Sequence, residues 1–149
     1  MMSSLVRGCL TTSLVAEDDI TSHIASPTED DPVRDHTKLK AFDLADRLAL
    51  AVYKHTQLFP REEIFGLTAQ VRRAAVSVPS NIVEGCARNS EADYLHFLDI
   101  AYASCREAEY QLSLAARLGY LDVEAHREVS GICIETSKVL AALLRSLRQ

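Results

Sequence analysis

The sequence predicts an all-α protein, an up-down-up-down four-helix bundle, and three observations carry that prediction. Apolar residues recur every three or four positions almost without a break from residue 37 to the C-terminus. Start and stop signals at Pro60, Ser90, Gly119 and Asp122 divide that run into four stretches joined by short connectors. The 149 residues suit one domain, and a chain of this size buries roughly 60 to 70 % of the surface it would expose unfolded, without needing a disulfide or metal staple.

The first helix is expected over residues 37 to 57. Leu39, Phe42, Ala45, Ala49 and Val52 share one face, and neither Gly nor Pro occurs before Pro60. Pro60 followed by Arg61, Glu62 and Glu63 reads as the start of the second helix, with two acids placed to complement the helix dipole. Its stripe of Ile64, Leu67, Val71, Ala75, Val78, Ile82 and Cys86 keeps phase through Pro79 to about residue 87. The spacing therefore predicts one helix, kinked at Pro79 and with the proline off the packed stripe, in place of two helices.

Ser90, followed by Glu91 and Asp93, caps a third helix. Its stripe is Tyr94, Phe97, Ala101, Cys105, Ala108, Leu112, Ala115 and Leu118, and Gly119 ends it. Asp122 caps a fourth helix that turns Val129, Ile132, Cys133, Thr136, Leu140, Leu143 and Leu147 inward. The third helix also carries Leu95, Leu98, Tyr102 and Leu114, and the fourth Ile134, Val139 and Leu144. These arcs are wider than one core seam needs, so self-association through them is expected, with spare surface hydrophobes as the alternative.

Composition changes near residue 36. Residues 1 to 36 hold two basic and seven acidic side chains and so account for the whole net charge of −5, while residues 37 to 149 carry 14 of each sign. Residues 1 to 36 read as a disordered acidic extension, too poor in periodic apolar residues to offset the entropy of ordering. A misassigned translation start, for example at Val33, is the alternative. Residues 37 to 149 form the bundle domain. No apolar run approaches a membrane span. Arg7 interrupts the apolar segment before Cys9, which argues against a lipoprotein signal and for a cytoplasmic protein. Of the four cysteines, Cys86, Cys105 and Cys133 fall on apolar stripes and no CxxC pair occurs, so reduced, buried thiols are expected.

The unusual segment is Arg72 to Arg88. Proline lacks an N–H and its ring crowds the carbonyl four residues back, a defect costing about 3 kcal/mol inside an ordinary helix. Ser77, Ser80 and Asn81 can bond nearby backbone groups, and Asn81 with Glu84 has the spacing of a capping box that would restart the ladder. Gly85 would admit another helix at close range. Each residue thus has a backbone role, and a kink curving the helix around its bundle competes with a ligand site as the purpose of the segment.

This run, together with Tyr94-Leu95-His96-Phe97-Leu98-Asp99-Ile100-Ala101 and Leu114-Ala115-Ala116-Arg117-Leu118-Gly119-Tyr120-Leu121, resembles the bacterial four-helix-bundle family of 23S rRNA intervening-sequence proteins. The likeness covers about residues 37 to 147 and leaves the acidic extension without a counterpart. It implies a cytosolic, ring-shaped homopentamer of four-helix protomers. It also implies kinship with the accessory variability determinant of diversity-generating retroelements, a pentameric partner of a reverse transcriptase that contacts nucleic acid. Arg72, Arg73 and Arg88 match basic positions of the family motif.

Charge weighs on the nucleic-acid reading, since a phosphate binder is normally basic and this bundle is neutral. Ring symmetry would repeat the three arginines and concentrate their field. The same arginines can instead pair with Glu62, Glu63, Glu84 or Glu91. Enzymatic signatures are sparse. The single Asp93-Tyr94-Leu95-His96 falls short of the paired Glu-x-x-His motifs of bundle metal sites, His126 beside Glu124 is weaker still, the cysteines have no neighbouring His, and there is no phosphate loop. No catalytic residue, metal or cofactor is therefore expected. Three functions stay in view: an oligomeric scaffold or adaptor for a protein partner, direct nucleic-acid binding by a ring face, and a metal-dependent enzyme.

Overall fold

The computed structural model describes residues 34–149; the acidic extension predicted over residues 1 to 36 lies outside them except for Arg34, Asp35 and His36. Four helices make up the fold: α1 (Lys40–Thr56), α2 (Leu67–Cys86), α3 (Glu91–Arg117) and α4 (Val123–Leu147), with single 3-10 turns at His36–Lys38 and Arg61–Glu63. Each helix packs on its two neighbours around a square, α1 on α2, α2 on α3, α3 on α4 and α4 back on α1. The short connectors at 87–90 and 118–122 cannot return along helices some 30 Å long, so α2, α3 and α4 alternate in direction. Arg72 near the start of α2 meets Tyr53 and Thr56 at the end of α1, so α1 and α2 are antiparallel too. Pairings along the bundle agree: Lys40 meets Glu135 at 3.6 Å and Lys54 meets Glu128 at 3.5 Å, so α1 and α4 run in opposite directions.

The helix ends follow the expected chemistry. Ser90 Oγ accepts from the Asp93 N–H at 3.0 Å, and Asp122 Oδ1 from the Ala125 N–H at 2.7 Å. Gly119, at φ 81°, closes α3 with paired bonds from its own N–H to the Ala116 carbonyl and from the Tyr120 N–H to the Ala115 carbonyl. That left-handed corner favours glycine because other residues crowd their own carbonyl there.

The start of α2 differs from the sequence expectation. Pro60 opens only the short turn Arg61–Glu63, and the helix proper begins at Leu67. Gly66 breaks the run with φ −103° and ψ −120°. Glu63 then folds back, its carboxylate accepting from the Leu67 N–H at 2.9 Å and, through the other oxygen, from the Tyr120 hydroxyl at 3.1 Å. Ile64, placed on the core stripe by spacing, lies in this turn and is 56 % exposed.

One hydrophobic core fills the bundle, with Leu48, Val52, Val71, Val78, Ile82, Leu98, Leu112, Val129 and Leu140 fully enclosed. The faces turn slightly from those read off the sequence. In α1 the buried set is Ala41, Leu44, Ala45, Leu48, Ala51 and Val52, while Leu39 and Phe42 sit at its edge. In α2 the buried arc takes in Pro79 as well as Val78, which corrects the expectation that the proline stands off the stripe. A helix facing two neighbours buries both the i+7 and i+8 positions counted from Val71, and Pro79 is the second of these. Leu98 and Leu144, counted as surplus apolar residues, belong to the protomer's own core, and Leu118 is exposed instead. Leu95, Tyr102, Leu114 and Val139 pack against that core from its rim. Among the described residues no helix is long and apolar enough to cross a membrane. Cys86, Cys105 and Cys133 are buried as free thiols; Cys9 lies outside the described residues.

Candidate functional site

Helix α2 runs unbroken through Pro79. The missing N–H removes one rung of the ladder, and neighbouring polar side chains tie that region down. Asn81 Nδ2 donates to the Ser77 carbonyl at 2.7 Å and to Ser77 Oγ at 2.9 Å. Ser77 Oγ in turn lies 2.9 Å from Ser104 Oγ on α3, where Ser104 is buried. A polar chain therefore leads from the proline region of α2 into the α2–α3 seam. The capping box expected from Asn81 and Glu84 does not form. Such a box needs a free helix start, and Asn81 is inside a continuous helix, so its amide turns back one turn and Glu84 pairs with Arg88 at 2.5 Å. Ser80 is exposed and lines a groove between α1 and α2.

Gly85 has the close approach its position predicts. A Cβ there would stand 3.0 Å from Phe97 Cβ and 3.3 Å from Tyr94 Cδ2, so α3 crosses α2 at a distance that only a residue without a side chain leaves unstrained. Arg34 braces the same corner, its guanidinium 4.5 Å from the Tyr94 ring centre and donating to the Arg88 carbonyl at 3.1 Å. Burial pushes the Tyr94 hydroxyl and the Cys86 thiol above their ordinary pKa values.

The three candidate arginines do not converge within one protomer. Sixteen positions separate Arg72 from Arg88, about 24 Å along a helix axis. Arg72 lies over the Tyr53 ring at 4.7 Å and donates from Nε to Thr56 Oγ1 at 2.8 Å, which fastens the end of α1 to the start of α2. Arg88 covers the Phe97 ring at 4.7 Å in addition to its pair with Glu84. Arg73 is exposed, makes no ion pair among the described residues, and stands beside two grooves. One, of about 510 Å³, runs between α1 and α2 past Tyr53, Ile64, Thr68, Arg72 and Val76; the Thr68 hydroxyl on its wall is buried without a hydrogen-bond partner. Sequence spacing does not single out Tyr53, Thr56 or Ser104, because each acquires its partner from a different helix, nor Thr68, whose place on the groove wall depends on how α1 and α2 pack.

At the other end of α1 from Lys40, an open groove of about 690 Å³ lies between α1 and the α3–α4 turn. His55 Nε2 sits 3.0 Å from Glu128 Oε2 there, and that bond, with Lys54 nearby, holds the Glu128 carboxyl below the ordinary glutamate range. His96, weighed as a metal ligand, is exposed with its ring edge-on to Phe97. Among the described residues no three His, Cys, Asp or Glu side chains gather closely enough to hold an ion.

A bundle with a proline inside α2, a glycine at the α2–α3 crossing and a glycine-ended α3 fits one family model, that of the 23S rRNA-intervening sequence proteins, over residues 37–142. This chain belongs to that family. The match spans α1 to α3, most of α4, and every candidate residue described above. A crystal structure from Bacteroides thetaiotaomicron, of a protein with unknown function from the S23 ribosomal protein family, is similar at a TM-score of 0.65 and 25 % identity, covering 70 % of this chain and 95 % of that one. Among proteins with curated descriptions, none matches this sequence.

Proposed function

We propose that this member of the 23S rRNA-intervening sequence protein family is a non-enzymatic, homo-oligomeric scaffold or adaptor. In this reading it is a cytoplasmic ring of five protomers, each with α2 bent at Pro79, that presents a protein partner such as a reverse transcriptase within a ribonucleoprotein. The observation that carries it is the outer face of α1 and α2. Leu50 and Tyr53 on α1 are 66 % and 46 % exposed, and Val76 and Val83, seven residues apart on α2, are 39 % and 38 % exposed. Apolar side chains in a row on a helix face are more than a lone protomer needs. Light scattering coupled to size exclusion tests the reading. Five protomer masses are expected, falling to one in a Val76→Asp, Val83→Asp double variant, and a monomer at micromolar concentration refutes it.

Direct nucleic-acid binding is the second reading, and Arg73 favours it. Its charge faces solvent beside an aromatic and guanidinium shelf made by Tyr53 and Arg72, the type of surface on which bases stack while a cation meets phosphate. Affinity for a mixed single-stranded RNA and DNA pool should then fall with salt and fall further in Arg73→Glu. Unchanged binding in that variant disposes of it.

A further inference from the structure

Two thiols that the functional reading leaves unused face each other at the centre of the α3–α4 seam. Cys105 Sγ and Cys133 Sγ are 3.6 Å apart, and neither residue has measurable exposure. Each sulfur also lies against the other helix's backbone, Cys105 Sγ 3.3 Å from the Cys133 carbonyl oxygen and Cys133 Sγ 3.2 Å from the Cys105 carbonyl oxygen. The reciprocal pattern places both side chains at one level of the bundle, each reaching across the seam. Ala101 and Ala108, one turn to either side on α3, keep the helices close at that level.

We propose that Cys105 and Cys133 are an oxidisable dithiol, which a peroxide converts to a disulfide that fastens α3 to α4. A disulfide needs the sulfurs at about 2.05 Å. The remaining closure is about 1.5 Å, to be made by χ1 rotation at the two residues and adjustment of the helices that carry them. The chemistry balances in two steps. One thiol gives up its proton, the thiolate sulfur attacks a peroxide oxygen, the O–O bond breaks to give a sulfenic acid, and the departing hydroxide takes up that proton to form one water. The facing thiol then attacks that sulfur, the S–S bond forms, the S–O bond breaks, and a second water leaves. Overall two thiols lose two electrons and two protons, and one hydrogen peroxide becomes two waters.

Two features favour this pair over other fates of the thiols. The contact between the two sulfurs lowers the Cys105 thiol below the ordinary cysteine range against the effect of burial, while the same contact and burial push Cys133 up. The contacts of the two sulfurs are reciprocal, so either thiol can attack while the other resolves. The resolving sulfur is already in contact, so a sulfenic acid at either position is captured before further peroxide reaches the enclosed site. Cys86 sits apart at the end of α2 beside Tyr94 and offers no competing partner.

The test is a peptide map of the full-length, unaltered protein after exposure of the folded state to hydrogen peroxide, with a parallel sample oxidised in denaturant. The expected product is a Cys105–Cys133 cross-link with loss of two hydrogens, reversed by dithiothreitol, together with a Tm rise of up to about 10 °C because the link closes a long loop in the unfolded chain. Cys86→Ser should retain both effects, and Cys105→Ser and Cys133→Ser should lose both. Thiols that stay reduced in the folded protein while oxidising in denaturant overturn the proposal, as does sulfinic acid at either position without a cross-link, or a link to Cys86 or Cys9. The map of the unaltered chain decides the matter even if a serine variant fails to fold.

Discussion

Replacing Gly85 by alanine tests whether the α2–α3 crossing is as tight as the structure makes it. The new methyl carbon would meet Phe97 Cβ at 3.0 Å, Tyr94 Cδ2 at 3.3 Å and the Tyr94 carbonyl oxygen at 3.4 Å. One of these is backbone and another is a Cβ, so relief requires α3 itself to give by a few tenths of an ångström. Overpacking of this kind costs about 1 to 3 kcal/mol. Set against it is the gain in helix propensity, at most about 1 kcal/mol and smaller here because Gly85 is in the last turn of α2. The net expectation is a loss of about 1 kcal/mol, or roughly 4 °C in Tm. Gly131→Ala supplies the control, since that glycine is exposed inside α4 with nothing within 4 Å of a built Cβ. The propensity gain stands alone there, and the variant should be about 1 kcal/mol more stable than the parent. Urea titrations of both variants at constant m-value measure the difference. If Gly85→Ala stabilises as much as Gly131→Ala, the close approach of α3 is wrong.

Further outcomes follow from single side chains. Arg72→Ala should cost about 1 to 2 kcal/mol, since it removes the Tyr53 contact and leaves Thr56 without its donor, whereas Arg73→Ala should fall within about 0.5 kcal/mol of the parent; equal losses in thermal unfolding would contradict the distinct roles drawn for them. Glu63→Ala should destabilise by about 1 to 2 kcal/mol by freeing the Leu67 N–H and the Tyr120 hydroxyl together, with Glu63→Gln intermediate. Glu128 binds its proton less tightly when folded than when unfolded, so its contribution is present above about pH 4.3 and is lost as pH falls through the lowered folded value. Glu128→Gln should therefore flatten the acid limb of the stability curve slightly and leave neutral pH unchanged in slope, the effect being small because the pair is exposed to solvent.

Which features were legible in the sequence depends on how local their causes are. The caps at Ser90 and Asp122 and the stop at Gly119 were readable because each rests on bonds within a few residues. The glycine approach at Gly85 was readable because only a missing side chain explains a glycine inside an apolar arc. The start of α2 was misread because Pro60, Glu62 and Glu63 satisfy a start signal, while Gly66 and the back-folded Glu63 carboxylate displace the real start to Leu67. Asn81 and Glu84 have capping-box spacing, yet spacing alone does not tell a helix interior from a helix start.

The candidate arginines show the same division. Their sequence proximity, Arg72 beside Arg73 and one family motif running to Arg88, made them a set, and the helix separated them along its axis and gave two of them aromatic and polar partners. Of the residues surplus to a single seam in α3 and α4, packing on two neighbours absorbs Leu98 and Leu144, while Ile134 stays exposed along with Val76 and Val83 of α2.

The sequence by itself determined four helices, their order, their antiparallel sense and their glycine and side-chain ends, because periodicity, short connectors and capping are local properties of the chain. Only the tertiary structure decided which face of each helix is buried on both sides, which of the three candidate arginines has neither an ion pair nor an aromatic contact among the described residues, and that Cys105 and Cys133 meet. Those outcomes depend on the rotation of each helix about its own axis, which is set by packing against two neighbours at once and which no single helix encodes.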